Sequence, residues 1–257
     1  MKKNAMLKIA AILMVAVLLT TCAISSTFAK YVTTVEKDSS GEAVVANWNL
    51  KIINDASAEL FKPTFTDDTD DIVAKIDGTK HVLAPGTKND SGAFAVSLEG
   101  KPEVAFAIYA YVNVELANWT AGSSDYCPVV FTVNGTAMTD KAVTGTDAVE
   151  AYETKIEEAI AAGILGVDLT KTTLKTVSKD IDGDDVAEQV YYVEYPALTD
   201  VETELDCGAD VKWEWKFEGL SGQTDALDTE LGNAATKATI EIDYAVAAEQ
   251  IAVISNS

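Results

Sequence analysis

Arginine is absent from this chain of 257 residues, and histidine occurs once, at His81. Without arginine, the usual bidentate anchor for phosphates and carboxylates is missing, which argues against anionic small ligands. With a single histidine, a serine or cysteine nucleophile has no second imidazole to act as its base. A lone histidine between β-prone residues reads as a surface or packed side chain. No HExxH helix occurs, which excludes a zincin-type metalloprotease, and no P-loop or dinucleotide glycine motif is present. Carboxylates are plentiful, but nothing in their spacing picks out a glycosidase pair. No repeat of fixed period is found.

Long apolar runs are equally scarce. Ile9 to Leu19 is unbroken but too short for a comfortable membrane span. Lys2, Lys3 and Lys8 give it a positive start, and a small-residue region closes at Thr27-Phe28-Ala29. Residues 1–29 therefore read as a signal peptide, cleaved by a signal peptidase after Ala29. The remainder is expected to be secreted, with no stable membrane span after cleavage. Leu19-Thr20-Thr21-Cys22 loosely resembles a lipoprotein box, but threonine before the cysteine fits it poorly. The expected mature chain starts at Lys30 and carries no lipid.

The 19 lysines face 41 acids, a formal charge of −22. Loss of the three leader lysines leaves 16 against 41, or −25 over the remaining 228 residues. So acidic a chain repels nucleic acid and anionic membrane surfaces. Its length suffices to bury a substantial core. Of three cysteines, Cys127 and Cys207 lie beyond the leader. They can form one disulfide or stay as two buried thiols.

The periodicity is that of strands. From Val45 to Ile53, Trp48, Leu50 and Ile52 share one face. Phe94, Val96 and Leu98 alternate likewise. The clearest strand places Val104, Phe106, Ile108, Ala110, Val112, Val114 and Leu116 on one side. Further strands are expected at 172–178, 188–195, 211–218 and 238–246. Between Trp119 and Thr170 the β-pattern breaks. Val129–Val133, Asn134-Gly135 and Thr136–Thr139 predict a tight hairpin. Asp147 and Glu150 suit a capping box, Val149, Tyr152, Ile156 and Ile160 form a helical stripe, and Gly163 can end the helix. Residues 219–234 read as a loop. Many short strands without a βαβ rhythm predict an all-β fold, an antiparallel jelly-roll-like β-sandwich with one inserted helix. The expected domain is residues 30–257, with the insert at about 119–170.

Three places could carry chemistry. Asp180-Ile181-Asp182-Gly183-Asp184-Asp185, with Glu188 beyond, sets carboxylates at alternate positions of a tight loop, which suits calcium. The match is partial, because Asp185 stands where a calcium loop has glycine and Tyr191 where it has glutamate. The plainer reading is an Asp-Gly turn between strands. Asp67 to Asp71 is an acidic loop read as a solvated turn. Trp213, Trp215 and Phe217 alternate with charged residues, a pattern read as core rather than a sugar-stacking platform. No catalytic or cofactor-binding residue stands out, and no cofactor is expected beyond a possible calcium ion.

Several motifs together resemble the TasA/camelysin-like secreted proteins, a biofilm-matrix fibre family of Gram-positive bacteria with SipW-type signal peptides. They are Phe28-Ala29-Lys30-Tyr31 and Trp48-Asn49-Leu50-Lys51, then Leu83-Ala84-Pro85-Gly86 and Pro102-Glu103-Val104. Near the end come Trp213-Glu214-Trp215-Lys216-Phe217-Glu218 and Asp228-Thr229-Glu230-Leu231-Gly232. The likeness covers about residues 25–116 and 186–253, not the insert. It implies a jelly roll whose subunits form fibres, the N-terminal segment of one completing the sheet of the next. Some members carry a metalloprotease label, but no zinc site is recognisable here, so no enzymatic activity is carried over. The expected function is a secreted structural subunit or accessory of an extracellular matrix or surface fibre. Its partners would be further copies of itself or other matrix proteins. The alternatives are a monomeric cell-surface binding module for sugar or protein and, third, a secreted hydrolase.

Overall fold

The computed structural model describes residues 32–35, 41–45, 48–54, 64–65, 76–77, 80–81, 83–181, 183–196, 198 and 205–251. The expected signal peptide, the Asp67–Asp71 loop and Asp182 lie outside them. Val32–Ser257 forms one compact unit.

Two antiparallel sheets carry the fold. The first has the order β1 (Val32–Val35), β17 (Thr239–Gln250), β8 (Phe106–Ala117), β15 (Glu188–Tyr195), β14 (Lys175–Lys179). The second has the order β12 (Thr136–Ala137), β11 (Val129–Val133), β16 (Leu205–Trp215), β7 (Thr87–Gly100), β3 (Trp48–Asn54), β2 (Gly41–Val45). β4 (Thr64–Phe65) also pairs with β7. Two small sheets join β13 (Val143–Gly145), β10 (Ser124–Cys127) and β9 (Thr120–Ala121), and β5 (Ile76–Asp77) with β6 (Lys80–His81). This is the expected antiparallel β-sandwich.

The alternation in β8 explains its central place. Phe106, Ile108, Ala110, Val112, Val114 and Leu116 are all buried, while Glu115 on the other face is exposed. β17 pairs with β8 over its whole length, from Thr239 opposite Ala117 to Gln250 opposite Phe106. In the second sheet Val211, Trp213 and Trp215 are buried, as are Val96, Leu98, Leu50 and Ile52. Trp119 ties the sheets together just beyond β8. Its Nε1 donates to Thr239 O at 2.9 Å, and its ring meets the Trp215 ring edge-on, 5.8 Å between centroids. Stripping such a side chain from water contributes on the order of 2 kcal/mol or more.

The insert folds as a hairpin and a helix. β11 and β12 are joined at Asn134 (φ 48°) and Gly135 (φ 77°), the left-handed pair that a two-residue turn requires. Helix α1 (Ala148–Ile164) buries the expected stripe of Val149, Tyr152, Ile156 and Ile160. Its ends differ from expectation. Asp147 is left-handed (φ 56°) and makes no side-chain cap, so the local capping box does not form. Instead Asp125 Oδ2, from β10, accepts the Val149 N–H at 3.2 Å. The glycine that turns the chain out of the helix is Gly166 (φ 62°) rather than Gly163. Gly163 is needed for contact. A Cβ there would lie 2.7 Å from Gly208 O and 2.6 Å from Asn134 Nδ2.

Two further elements depart from the sequence reading. Gly41–Val45, which precedes the strand expected from Val45 to Ile53, is itself a strand paired with β3. The 219–234 loop contains a second helix, α2 (Asp225–Asn233), capped by Thr224, whose Oγ1 accepts from Leu227 N at 3.3 Å. Its polar composition hides it, since Leu231 is its single buried residue.

The Gly163 contact makes a direct prediction. Gly163→Ala should lower unfolding stability by about 1–3 kcal/mol despite alanine's better helix propensity, because a backbone carbonyl must move. Equilibrium denaturation of the two chains measures it, with the exposed Gly135→Asn as a near-neutral comparison.

Candidate functional site

The loop between β14 and β15 is a lid with its own internal bonding. Ile181 points onto the outer face of the first sheet and is 5% exposed, packed with Val190, Ala245 and Ala247 and flanked by Tyr109 and Tyr111. The Asp180 carboxylate holds the turn above it. Oδ1 accepts from Gly183 N at 2.8 Å and Oδ2 from Asp185 N at 3.1 Å. Asp184 Oδ1 accepts from Val186 N at 2.8 Å. Gly183 (φ 85°) and Asp185 (φ 67°) supply the left-handed turns. Glu188 begins β15 opposite Lys179, and its Oε2 is buried without a hydrogen-bond partner. Among the described residues, no group of three or more His, Cys, Asp or Glu is placed to hold a metal ion. The structure thus brings Asp180, Asp184 and Asp185 into one turn and sets Glu188 at its exit.

Beside the lid, Lys179 Nζ sits 2.9 Å from Glu249 Oε1 and 4.7 Å from the centroid of the Tyr109 ring. Glu249 is only 5% exposed. Such a carboxylate is tolerated because the ammonium compensates it. Nothing in the local sequence marks this pair, since its partners are seventy residues apart and sit on strands that β15 and β8 separate in the sheet.

An open, shallow concavity lies elsewhere, at the C-terminal end of α1. It has a volume of about 580 Å³ and is lined by Ser97, Asn134, Gly163, Asp168, Cys207 and Asp210, with small neighbours between them. Asn134 holds one wall, donating to Gly208 O at 2.8 Å and accepting from Asp210 N at 2.7 Å. No disulfide joins Cys207 and Cys127. Cys207 Sγ donates to Ile164 O at 3.2 Å, while Cys127 is fully buried and its thiol is pushed up to about 12 by desolvation. The Tyr195 hydroxyl donates to Leu165 O, and burial raises it to about 12. Asp168 is held down to about 2, chiefly by Lys171 at 2.7 Å. Asn134, Cys207 and Asp168 therefore each already hold a polar partner. Sequence reasoning missed this concavity because its walls come from four separated segments.

The aromatic row divides. Trp213 and Trp215 are core, as expected, but Phe217 is 70% exposed. β16 ends at Trp215, so the alternation that would have turned Phe217 inward stops two residues short. His81 stands in β6, opposite Ile76.

The lid reading is tested by Asp180→Ala. Losing the carboxylate that accepts from two backbone N–H groups, and with it the anchor of Ile181, should cost about 1–3 kcal/mol, whereas the exposed Asp184→Ala should cost less. Chemical denaturation with and without a chelator gives both values. No family model, curated protein or solved structure matches this chain.

Proposed function

We propose that this chain is a secreted, non-enzymatic structural subunit of an extracellular matrix or surface fibre, assembling by donation of its N-terminal strand. The observation that carries the reading is the placement of β1. Its four residues begin just after the expected processing point and occupy the end position of the first sheet. It pairs with β17 through Val32–Glu249, Thr33–Ala248, Thr34–Ala247 and Val35–Val246. So short a strand is held by few main-chain bonds, and its departure would expose an equal length of β17 to an incoming strand. Strand addition takes its affinity from those same bonds. A head-to-tail version does not close on itself, so it propagates as a filament. The resemblance to TasA/camelysin-like proteins supports the same reading, as does the acidic charge, which opposes side-by-side collapse.

A covalent lock tests it. Thr34→Cys with Ala247→Cys places thiols on directly opposed residues of the β1–β17 ladder. Oxidised, the exported chain should stay monomeric by light scattering at concentrations where wild type forms fibres, and reduction should restore growth. This is cleaner than truncation at Ala43, which would cut into β2. Fibres from the oxidised chain, or none from wild type at high salt, would replace this reading with the monomeric binding module.

A calcium ion at Asp180, Asp182, Asp184, Asp185 and Glu188 is a subsidiary proposal, supported by the partnerless Glu188 Oε2. Binding to the native state raises stability by mass action. Millimolar calcium should raise the Tm of wild type, and the change Asp180→Asn, Asp182→Asn, Asp184→Asn should remove that rise. An equal rise in both would mean general charge screening.

A further inference from the structure

Half of β8 has a strand on one side only. β15 accompanies it from Phe106 to Ala110, while β17 continues to Ala117. Successive N–H groups of a strand point to opposite edges. Those of Val114 and Leu116 point away from β17, into a gap that α1 fills. Glu157 Oε1 accepts from Val114 N at 2.9 Å, and Glu153 Oε1 accepts from Leu116 N at 2.5 Å. The two glutamates are four residues apart and share a helix face. The two amides are two residues apart and share a strand edge. The helix thus supplies the acceptors that a neighbouring strand would otherwise present.

This arrangement gathers like charge. Facing Glu153 are Glu150 and Glu157 of its own helix and Glu115 of β8. From β10 comes Cys127, a neutral thiol. Tyr191 of β15 faces Glu157 and Glu158, and burial and those carboxylates keep its phenol protonated. Desolvation first, then the neighbouring glutamates, push Glu153 above the ordinary glutamate range, against the opposing pull of the Leu116 bond.

We propose that Glu153 and Glu157 form a latch on the open edge of β8 in which Glu153 is the proton-sensitive member, so that the latch closes more tightly at Leu116 as the medium acidifies. The latch is independent of the fibre reading. A carboxyl that titrates high when latched and normally when released takes up its proton preferentially in the latched state. The added stability is complete below the ordinary glutamate value and is lost as pH rises through the raised one. Glutamine in place of Glu153 keeps an acceptor for Leu116 and removes the charge.

Hydrogen–deuterium exchange of the full exported chain, read residue by residue and corrected for intrinsic rates, tests the latch. Between pH 5 and pH 8, protection at Leu116 should fall severalfold, while Asn113 and Glu115 on the β17 side stay level. Glu153→Gln should flatten the slope and keep protection at pH 8. Glu115→Gln, which leaves the latch intact but weakens the repulsion, should raise protection at pH 8. Glu153→Ala should lose protection at Leu116 at every pH. Equal slopes on both edges of β8, or an unchanged slope in Glu153→Gln, would overturn the proposal.

Discussion

A strand whose neighbour stops short must still satisfy its backbone hydrogen bonds, and buried N–H groups left alone cost about 1–3 kcal/mol each. That requirement governs the middle of this fold. Where the insert replaces β-pattern, the sandwich loses strand partners on both layers. Helix α1 restores them with side chains. On the first sheet, Glu153 and Glu157 bond the amides of β8. On the second, the Tyr152 hydroxyl accepts from Phe131 N at 3.0 Å and donates to Val129 O at 3.1 Å. These three side chains lie within six residues of one helix. Around them follow the close approach of Gly163 to Gly208, the cap from Asp125 and the hairpin that carries Asn134 to β16.

Much of this architecture was legible in the chain. The alternation from Phe106 to Leu116 fixes which face of β8 is buried, because a period of two leaves no other choice. Asn134-Gly135 specifies its own turn. The stripe from Val149 to Ile160 states which side of α1 is covered. These signals are local, and the physics that reads them is local too. What escaped was non-local or too polar to show a period. The cap of α1 comes from Asp125, which only the β10–β13 sheet brings near. α2 buries Leu231 alone, so no stripe announces it. β2 has little alternation of its own and is a strand because β3 offers an edge.

The loop at Asp180–Glu188 shows how far composition can carry a site argument. Five acids in nine residues look like a cation trap. In the fold, Asp180 and Asp184 accept from backbone N–H groups of the same turn, which occupies some of their lone pairs and leaves others open. Ile181, the buried apolar residue of the loop, does what the composition conceals by covering a second, smaller core on the outer sheet face. A carboxylate satisfied by amides and a carboxylate awaiting a metal are the same letter in the sequence. Only the position of the amides distinguishes them.

Edges remain the decisive feature of an open sandwich, because each one is a template for another chain. The first sheet treats its edges unequally. At β14, Lys175 and Lys179 flank the strand, and both ammonium groups lie over tyrosine rings, Tyr192 and Tyr109. Their stems lie across the face of the sheet, and Lys179 is paired with Glu249 of β17. Along the far half of β8 the carboxylates of α1 occupy the acceptor positions. At the opposite end the covering element is β1, four residues long and joined to the body through a segment that is itself short. Lysines and glutamates oppose a neighbour by charge and by occupancy, whereas a short strand opposes it only by being there. An incoming strand with more main-chain bonds to offer meets least resistance at β17, which is why the fibre reading places assembly at that edge rather than at β14 or β8.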